Sequence, residues 1–190
     1  DNMDVSLSVK ENEESVIAGC TRNERWAQKL LYEEFYSSML GVCMRYSNNS
    51  DDAEDMLHDG FIKVFRNIKK YKTGTSLPAW IRRIMVNTSI DYYRKQTRRL
   101  TEDIEEARSV QFDGTDAVSK CSEKEILEAI QRLSPAYRTV FNMYVIEGYA
   151  HKEIADELNI TESTSRSNLV KARGKLKEYL VAVQRQEKME

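Results

Sequence analysis

The chain has 190 residues, 41% of them hydrophobic and 32% charged, with a formal net charge of −2, so its composition is neither disordered nor membrane-embedded and its length suits one domain or two small ones. No stretch approaches the roughly 20 consecutive apolar residues of a membrane span, and no basic–apolar–small leader opens the sequence, which predicts a protein that is not exported. Cys20, Cys43 and Cys121 are widely spaced, form no C-x-x-C pair and lie far from His58 and His151 in sequence, which argues against a disulfide framework or a metal site and for a reducing cytoplasm.

The near-neutral total conceals segregated charge. Before Gly60 the chain is acidic, with Asp51, Asp52, Glu54, Asp55 and Asp59 in one run. Between Phe61 and Arg99 the only acid is Asp91, against Lys63, Arg66, Lys69, Lys70, Lys72, Arg82, Arg83, Arg94, Lys95, Arg98 and Arg99. Acids dominate again from Thr101 to Glu128. Such blocks suit separate surfaces for separate partners, with solvated faces as the plainer alternative.

Helical periodicity prevails and strand signals are nearly absent. Leu31, Phe35, Met39, Val42 and Tyr46 recur at steps of three and four. Leu57, Phe61, Val64, Phe65 and Ile68 make a second stripe, and Trp80, Ile81, Ile84, Met85 and Thr88 a third. Together they predict an N-terminal helical bundle over residues 1–99. Residues 71–78, YKTGTSLP, break the pattern as a loop. Periodicity then fades over residues 100–122, an acidic, turn-rich stretch expected to be a flexible linker.

A second helical domain is expected over residues 123–190. Ile126, Leu127, Ile130 and Leu133 form a short stripe, and Ser134-Pro135 caps and opens the next helix. That helix is expected to bury Val140, Phe141, Tyr144 and Val145 and to stop at Gly148. The fold class is therefore all-α: two small helical domains, the second a four-helix domain containing a helix-turn-helix. Its signature is HKEIADELNITESTSRSNLVKAR. Ile154, Ala155 and Leu158 face inward, Asn159 suits a left-handed turn, Ile160 plugs it and Thr161 caps the next helix. Ser165, Leu169 and Ala172 would face the core, which leaves the Ser165 hydroxyl in need of a partner, for instance a carbonyl one turn back. The opposite face presents Ser163, Thr164, Arg166, Ser167, Lys171 and Arg173, groups that reach bases and phosphates when such a helix enters the major groove. An ordinary helical hairpin with a solvated face is the alternative.

A second cationic surface lies in AWIRRIMVNTSIDYYRKQTRR. Arg83, Asn87, Arg94 and Arg98 follow at steps of four, seven and four, along one helix face away from Ile81, Ile84 and Met85. A basic ridge with a central Asn and nearby Tyr92-Tyr93 suits phosphate contact and base stacking, or else it is merely solvated.

These motifs are similar to those of the extracytoplasmic-function (ECF) sigma factors of the sigma-70 family. The resemblance rests on DDAEDMLHDGFIKVFRNI, LPAWIRRIMVNTSIDYYRK and EAIQRLSPAYRTVFNMYVIEGYAHKEIADELNITESTSRSNLVKARGKL, in that order. It implies a protein that binds core RNA polymerase and directs promoter recognition, DNA melting and transcription initiation. Asp52, Glu54, Asp55, Asp59 and Phe61 would dock on the clamp of the largest polymerase subunit. Tyr71, Lys72 and Thr75 would form a loop that holds a flipped base, with Asn87 lining the pocket. Arg83, Arg94, Lys95, Arg98 and Arg99 would hold the backbone around the downstream promoter element. The helix-turn-helix would read the upstream element and sit on the polymerase flap. An anti-sigma factor is implied as a further partner.

Two departures from the family pattern stand out. His58 occupies a place where Gln is more usual, and Ala150 one where Ser commonly caps the helix. Losing such a cap costs about 0.5–2 kcal/mol. No cofactor, metal, membrane insertion or small-molecule substrate is expected. The seven glycines form no phosphate-cradling loop and no catalytic constellation is present. About 23 linker residues reach at most roughly 75 Å, enough to join two promoter sites, while Glu102, Asp103, Glu105 and Glu106 would repel DNA. The rival readings are a stand-alone helix-turn-helix regulator with an N-terminal sensor, which would bind duplex tightly without polymerase, and a helical adaptor that binds only protein.

Overall fold

The computed structural model describes residues 8–100 and 122–187. The linker expected over residues 100–122, with its acids and Cys121, lies almost wholly outside them. Among the described residues every regular element is helical. The chain divides into two compact units, one drawing on residues up to Cys43 and on Asp51–Ser89, the other on Met44–Ser50 and the chain from Ile90 onward.

The first unit contains α1 (Glu13–Thr21), α2 (Arg25–Tyr46) up to Cys43, α3 (Ser50–Asn67) from Asp51, a 3-10 turn (Ile68–Lys70) and the first half of α4 (Leu77–Leu100). Leu31, Met39 and Val42 of α2 are buried, as are Leu57, Phe61 and Val64 of α3 and Ile81 and Met85 of α4. Each stripe removes one helix face from water, at about 25 cal/mol per Å² of apolar surface. Asp51 and Asp52 in the first turn of α3 complement its dipole. At Gly60 the helices pack closely: a Cβ there would lie 2.2 Å from Met85 Sδ, so the buried Met85 side chain would have to shift. The short α1 is an element the sequence reading did not include. It contributes Val16, Ile17 and Cys20 to the core, and burial pushes the Cys20 thiol up to about 11, leaving it protonated and unreactive.

The second unit holds α5 (Glu123–Gln131), α6 (Pro135–Phe141), a π-helical turn (Asn142–Ile146), α7 (His151–Leu158) and α8 (Glu162–Glu187). Ser122 and Glu125 close a reciprocal capping box on α5. Ser134 caps α6, with Pro135 in its first turn. The π turn corrects one expectation: Val140 and Met143 are buried, but Tyr144 and Val145 are 36% and 46% exposed and Phe141 is half-buried. The wider turn shifts the register beyond Phe141, so Met143 takes the inward place and Tyr144 turns out.

Arg138 is only 2% exposed. Its guanidinium donates to the carbonyls of Ile130 (3.2 Å), Gln131 (2.6 Å) and Leu133 (2.8 Å), to Asn48 Oδ1 (2.9 Å) and to Tyr46 O (3.4 Å). Asn142 Nδ2 donates to the carbonyls of Arg45 (2.6 Å) and Arg138 (3.0 Å). A buried cation is tolerated here because its donors meet oxygen acceptors on several sides.

Candidate nucleic-acid interface

The helix-turn-helix is α7, a turn and α8. Asn159 ends α7 in the left-handed region (φ 55°, ψ 47°), a conformation Asn adopts at less cost than most residues. Thr161 Oγ1 accepts from Thr164 N at 3.0 Å and so caps α8. Ala150, where a capping side chain is missing, has partial compensation: the Glu153 carboxylate accepts from Ala150 N at 2.7 Å. Ser165 is fully buried, and its hydroxyl pairs with His151 Nδ1 at 2.9 Å rather than with a carbonyl one turn back. The His151 ring stacks on Tyr144, centroids 4.4 Å apart. Thus a polar tie joins the two helices of the motif near the N-terminus of α8. Burial, then the positive charge of Arg166, holds the His151 imidazole below its ordinary range.

Outward, Ser163, Thr164, Arg166, Ser167 and Arg173 are exposed. Arg166 pairs with Glu162 at 2.8 Å across one helical turn. Exposed pairs of this kind contribute only about 0.3–0.5 kcal/mol, so a phosphate or a guanine edge can displace the carboxylate. Lys171 is half-buried, with Nζ 6.0 Å from the centre of the Tyr137 ring.

On α4, Arg83 and Asn87 are exposed, as are Lys95 and Arg98 further along the helix. Arg94 is engaged: it pairs with Asp91 at 3.2 Å, and it donates to the Glu157 carbonyl at 2.7 Å and to the Glu157 carboxylate. Phosphate contact by Arg94 therefore requires exchanging these partners. Arg99 lies within α4, and its side chain is outside the described residues.

Lys72 and Thr75 are exposed in the loop before α4. Gly74 takes a positive φ of 90° there, which a residue with a side chain resists. Thr75 N and Oγ1 both donate to Lys72 O, at 3.2 and 2.8 Å, and Ser76 Oγ caps α4 by accepting from Ala79 N. Tyr71 departs from expectation. It is 7% exposed, its ring packs against Trp80 with centroids 5.5 Å apart, and its hydroxyl is bonded beneath the loop. A residue expected to help hold a flipped base instead supports the loop from below.

On α3, Glu54, Asp55 and Asp59 are exposed and Asp52 is half-buried. Phe61 is a correction: it is 2% exposed and packs against Tyr32 at 4.7 Å and Phe65 at 6.0 Å. It continues the inward stripe from Leu57, so it cannot present itself to a partner. The apolar residue on the acidic side is Ile62, 47% exposed. Asp52, Asp55, Asp59 and Ile62 follow at steps of three, four and three, a spacing that could have identified it. His58 is exposed and stacks on Tyr32. Among the described residues no group of three or more His, Cys, Asp or Glu side chains is placed to hold a metal ion.

A helix-turn-helix with a capped second helix, in a chain carrying a second cationic helix, is the arrangement of a DNA-binding protein. Residues 31–99 match the family model of sigma-70 region 2 and residues 123–176 that of sigma-70 region 4. The chain is 30% identical over 148 residues to the ECF RNA polymerase sigma factor SigE of Mycolicibacterium smegmatis, spanning 73% of this chain and 56% of that protein. It is 25% identical over 173 residues to the ECF RNA polymerase sigma-E factor of Haemophilus influenzae, spanning 85% and 91%. A solved structure of the sigma factor RpoE with the anti-sigma factor NepR from Bartonella quintana aligns at 20% identity and a TM-score of 0.47, covering 80% of this chain and 95% of that one. The chain belongs to the ECF group of the sigma-70 family and is a promoter-recognising transcription initiation factor.

Proposed function

We propose that the chain recruits core RNA polymerase through α3, captures the opened downstream promoter element with α4 and its preceding loop, and reads the upstream element with α8. Residues 1–99 and 123–190 act as the two domains, and residues 100–122 as the linker that sets the span between the two DNA contacts. The observation that carries this reading is the presence of two exposed cationic helix faces, each within a segment matching a different sigma-70 region. Asp52, Glu54, Asp55 and Asp59, with Ile62 in place of Phe61, form the clamp-facing surface. Lys72, Thr75, Arg83, Asn87, Lys95, Arg98 and Arg99 face the downstream element, joined by Arg94 once its acidic partners let go. Ser163, Thr164, Arg166, Ser167, Lys171 and Arg173 face the upstream element, and the outer surface of that domain meets the flap.

Flipping a base out of the stack costs a few kcal/mol, recovered by stacking and edge hydrogen bonds. Asn87 supplies both a donor and an acceptor for such an edge. The protein performs no catalysis of its own, needs no cofactor or small-molecule substrate, and works in the bacterial cytoplasm at the nucleoid. An anti-sigma factor holds it inactive by covering these surfaces.

The test uses core RNA polymerase reconstituted with the full chain. Asn87→Ala should slow open-complex formation far more than it weakens polymerase binding. Equal loss of both would remove Asn87 from the pocket.

A further inference from the structure

The Tyr71 hydroxyl carries one hydrogen and faces two acceptors. It lies 2.8 Å from Glu13 Oε1, on a helix 58 positions earlier in the chain, and 2.6 Å from Thr75 O in its own loop. Burial, then the Glu13 carboxylate, pushes the phenol above its ordinary range, so it stays a donor at neutral pH. Both loop ends are fixed locally: Tyr71 N donates to Ile68 O at 3.1 Å, and Ser76 caps α4. The positive-φ Gly74 lies between them. What ties the loop's inner carbonyl to the body of the bundle is the Tyr71 hydroxyl, and what ties that hydroxyl to α1 is Glu13. The helix carrying Glu13 is itself anchored, with Val16 fully buried and Cys20 1% exposed.

We propose that α1 braces the base-capturing loop through the chain Glu13–Tyr71–Thr75, making Glu13 and the Tyr71 hydroxyl positioning residues for promoter opening. The inference rests on the reading that residues 72–76 close on a flipped base. The brace holds the loop ready before DNA arrives, so the ordering cost is not met at the moment of capture. It also explains why a ring buried against Trp80 is a tyrosine here: phenylalanine would fill the same volume and leave Thr75 O and Glu13 without that donor.

Counting hydrogens gives a sharp test. Glu13→Gln supplies an N–H that can donate to the Tyr71 oxygen, freeing the phenol hydrogen for Thr75 O. Glu13→Ala removes the anchor and Tyr71→Phe removes the bridge. With holoenzyme on a duplex promoter carrying a fluorescent base analogue in the downstream element, Glu13→Ala and Tyr71→Phe should open about 3–10-fold more slowly, the loss of one such hydrogen bond. Polymerase affinity should stay unchanged. Glu13→Gln should open within about twofold of the parent, since the chain of bonds is kept. Parental opening rates in Glu13→Ala and Tyr71→Phe, or a Glu13→Gln variant as slow as Glu13→Ala, would overturn the brace. Asn87→Ala run in parallel separates the two ideas: if it is slow while the brace variants are fast, the brace alone fails. If Asn87→Ala also opens normally, the pocket reading beneath it fails. Melting temperatures near the parent's would exclude unfolding as the cause, and a collapse in Tyr71→Phe alone would pass the decision to the Glu13 pair.

Discussion

The tie between His151 and Ser165 makes the most exacting prediction about the reading head. Ser165 is fully buried, and its hydroxyl pairs with a side chain on the other helix of the motif, 2.9 Å away. A net hydrogen bond of this kind contributes about 0.5–1.5 kcal/mol. Ser165→Ala removes the hydroxyl but keeps the β-carbon, so it creates almost no cavity, and its cost should fall in that range. His151→Ala loses the bond together with the stack on Tyr144, worth roughly another 0.5–1.5 kcal/mol as an aromatic contact. The double variant should therefore cost less than the two singles combined, with a coupling of about 0.5–1.5 kcal/mol. Urea denaturation of the full chain, followed by helical circular dichroism and resolved for the transition of the second unit, measures all four corners of the cycle. Additive losses, with coupling below about 0.3 kcal/mol, would refute the tie and return Ser165 to the role of a small space-filling residue.

Three further outcomes are expected. Gly60→Ala forces a Cβ toward the buried Met85 sulfur and should destabilise the first unit by about 1–3 kcal/mol, read as a lowered urea midpoint with unchanged slope. Arg138→Met keeps the volume but strips the donors from a group of buried oxygens. It should cost about 1–3 kcal/mol for each oxygen left buried without a donor, enough to unfold the second unit first in a thermal scan. Because the folded-state pKa of His151 is depressed, the unfolded chain binds more protons than the folded one in the acid range. The His151 contribution is therefore full above the unfolded value of about 6.5 and is lost as pH falls through the folded value. His151→Gln should flatten that part of the stability–pH profile.

Local chemistry explains what was legible in the sequence. Asn159 in the left-handed turn, Thr161 and Ser134 as caps and Pro135 at a helix start are properties of a residue and its near neighbours, so spacing alone reveals them. The inward stripes of α2 and α3 follow from the helical period. Where the reading failed, the deciding contact lies far along the chain or in an irregular turn. The π turn after Phe141 is not encoded in a 3.6-residue pattern, so Tyr144 and Val145 were placed on the wrong side. Phe61 was given to a partner surface by family resemblance, although its spacing from Leu57 and Val64 already pointed inward. The supporting role of Tyr71 is not legible in the sequence because its partner Glu13 sits in a short helix of weak amphipathic pattern, 58 residues away. Ser165 showed itself as a buried hydroxyl in search of a partner, while His151, 14 positions earlier, was hidden by distance.

The central claim is that two cationic helices of one polypeptide grip one promoter at two places. A photo-crosslinking amino acid placed at position 87 or position 166, in the full chain assembled with core RNA polymerase on promoter DNA, tests it directly. Position 87 should capture the downstream element on the strand that is opened, and position 166 the upstream element of the same DNA molecule. A complex that initiates transcription while either position fails to label DNA would contradict the account.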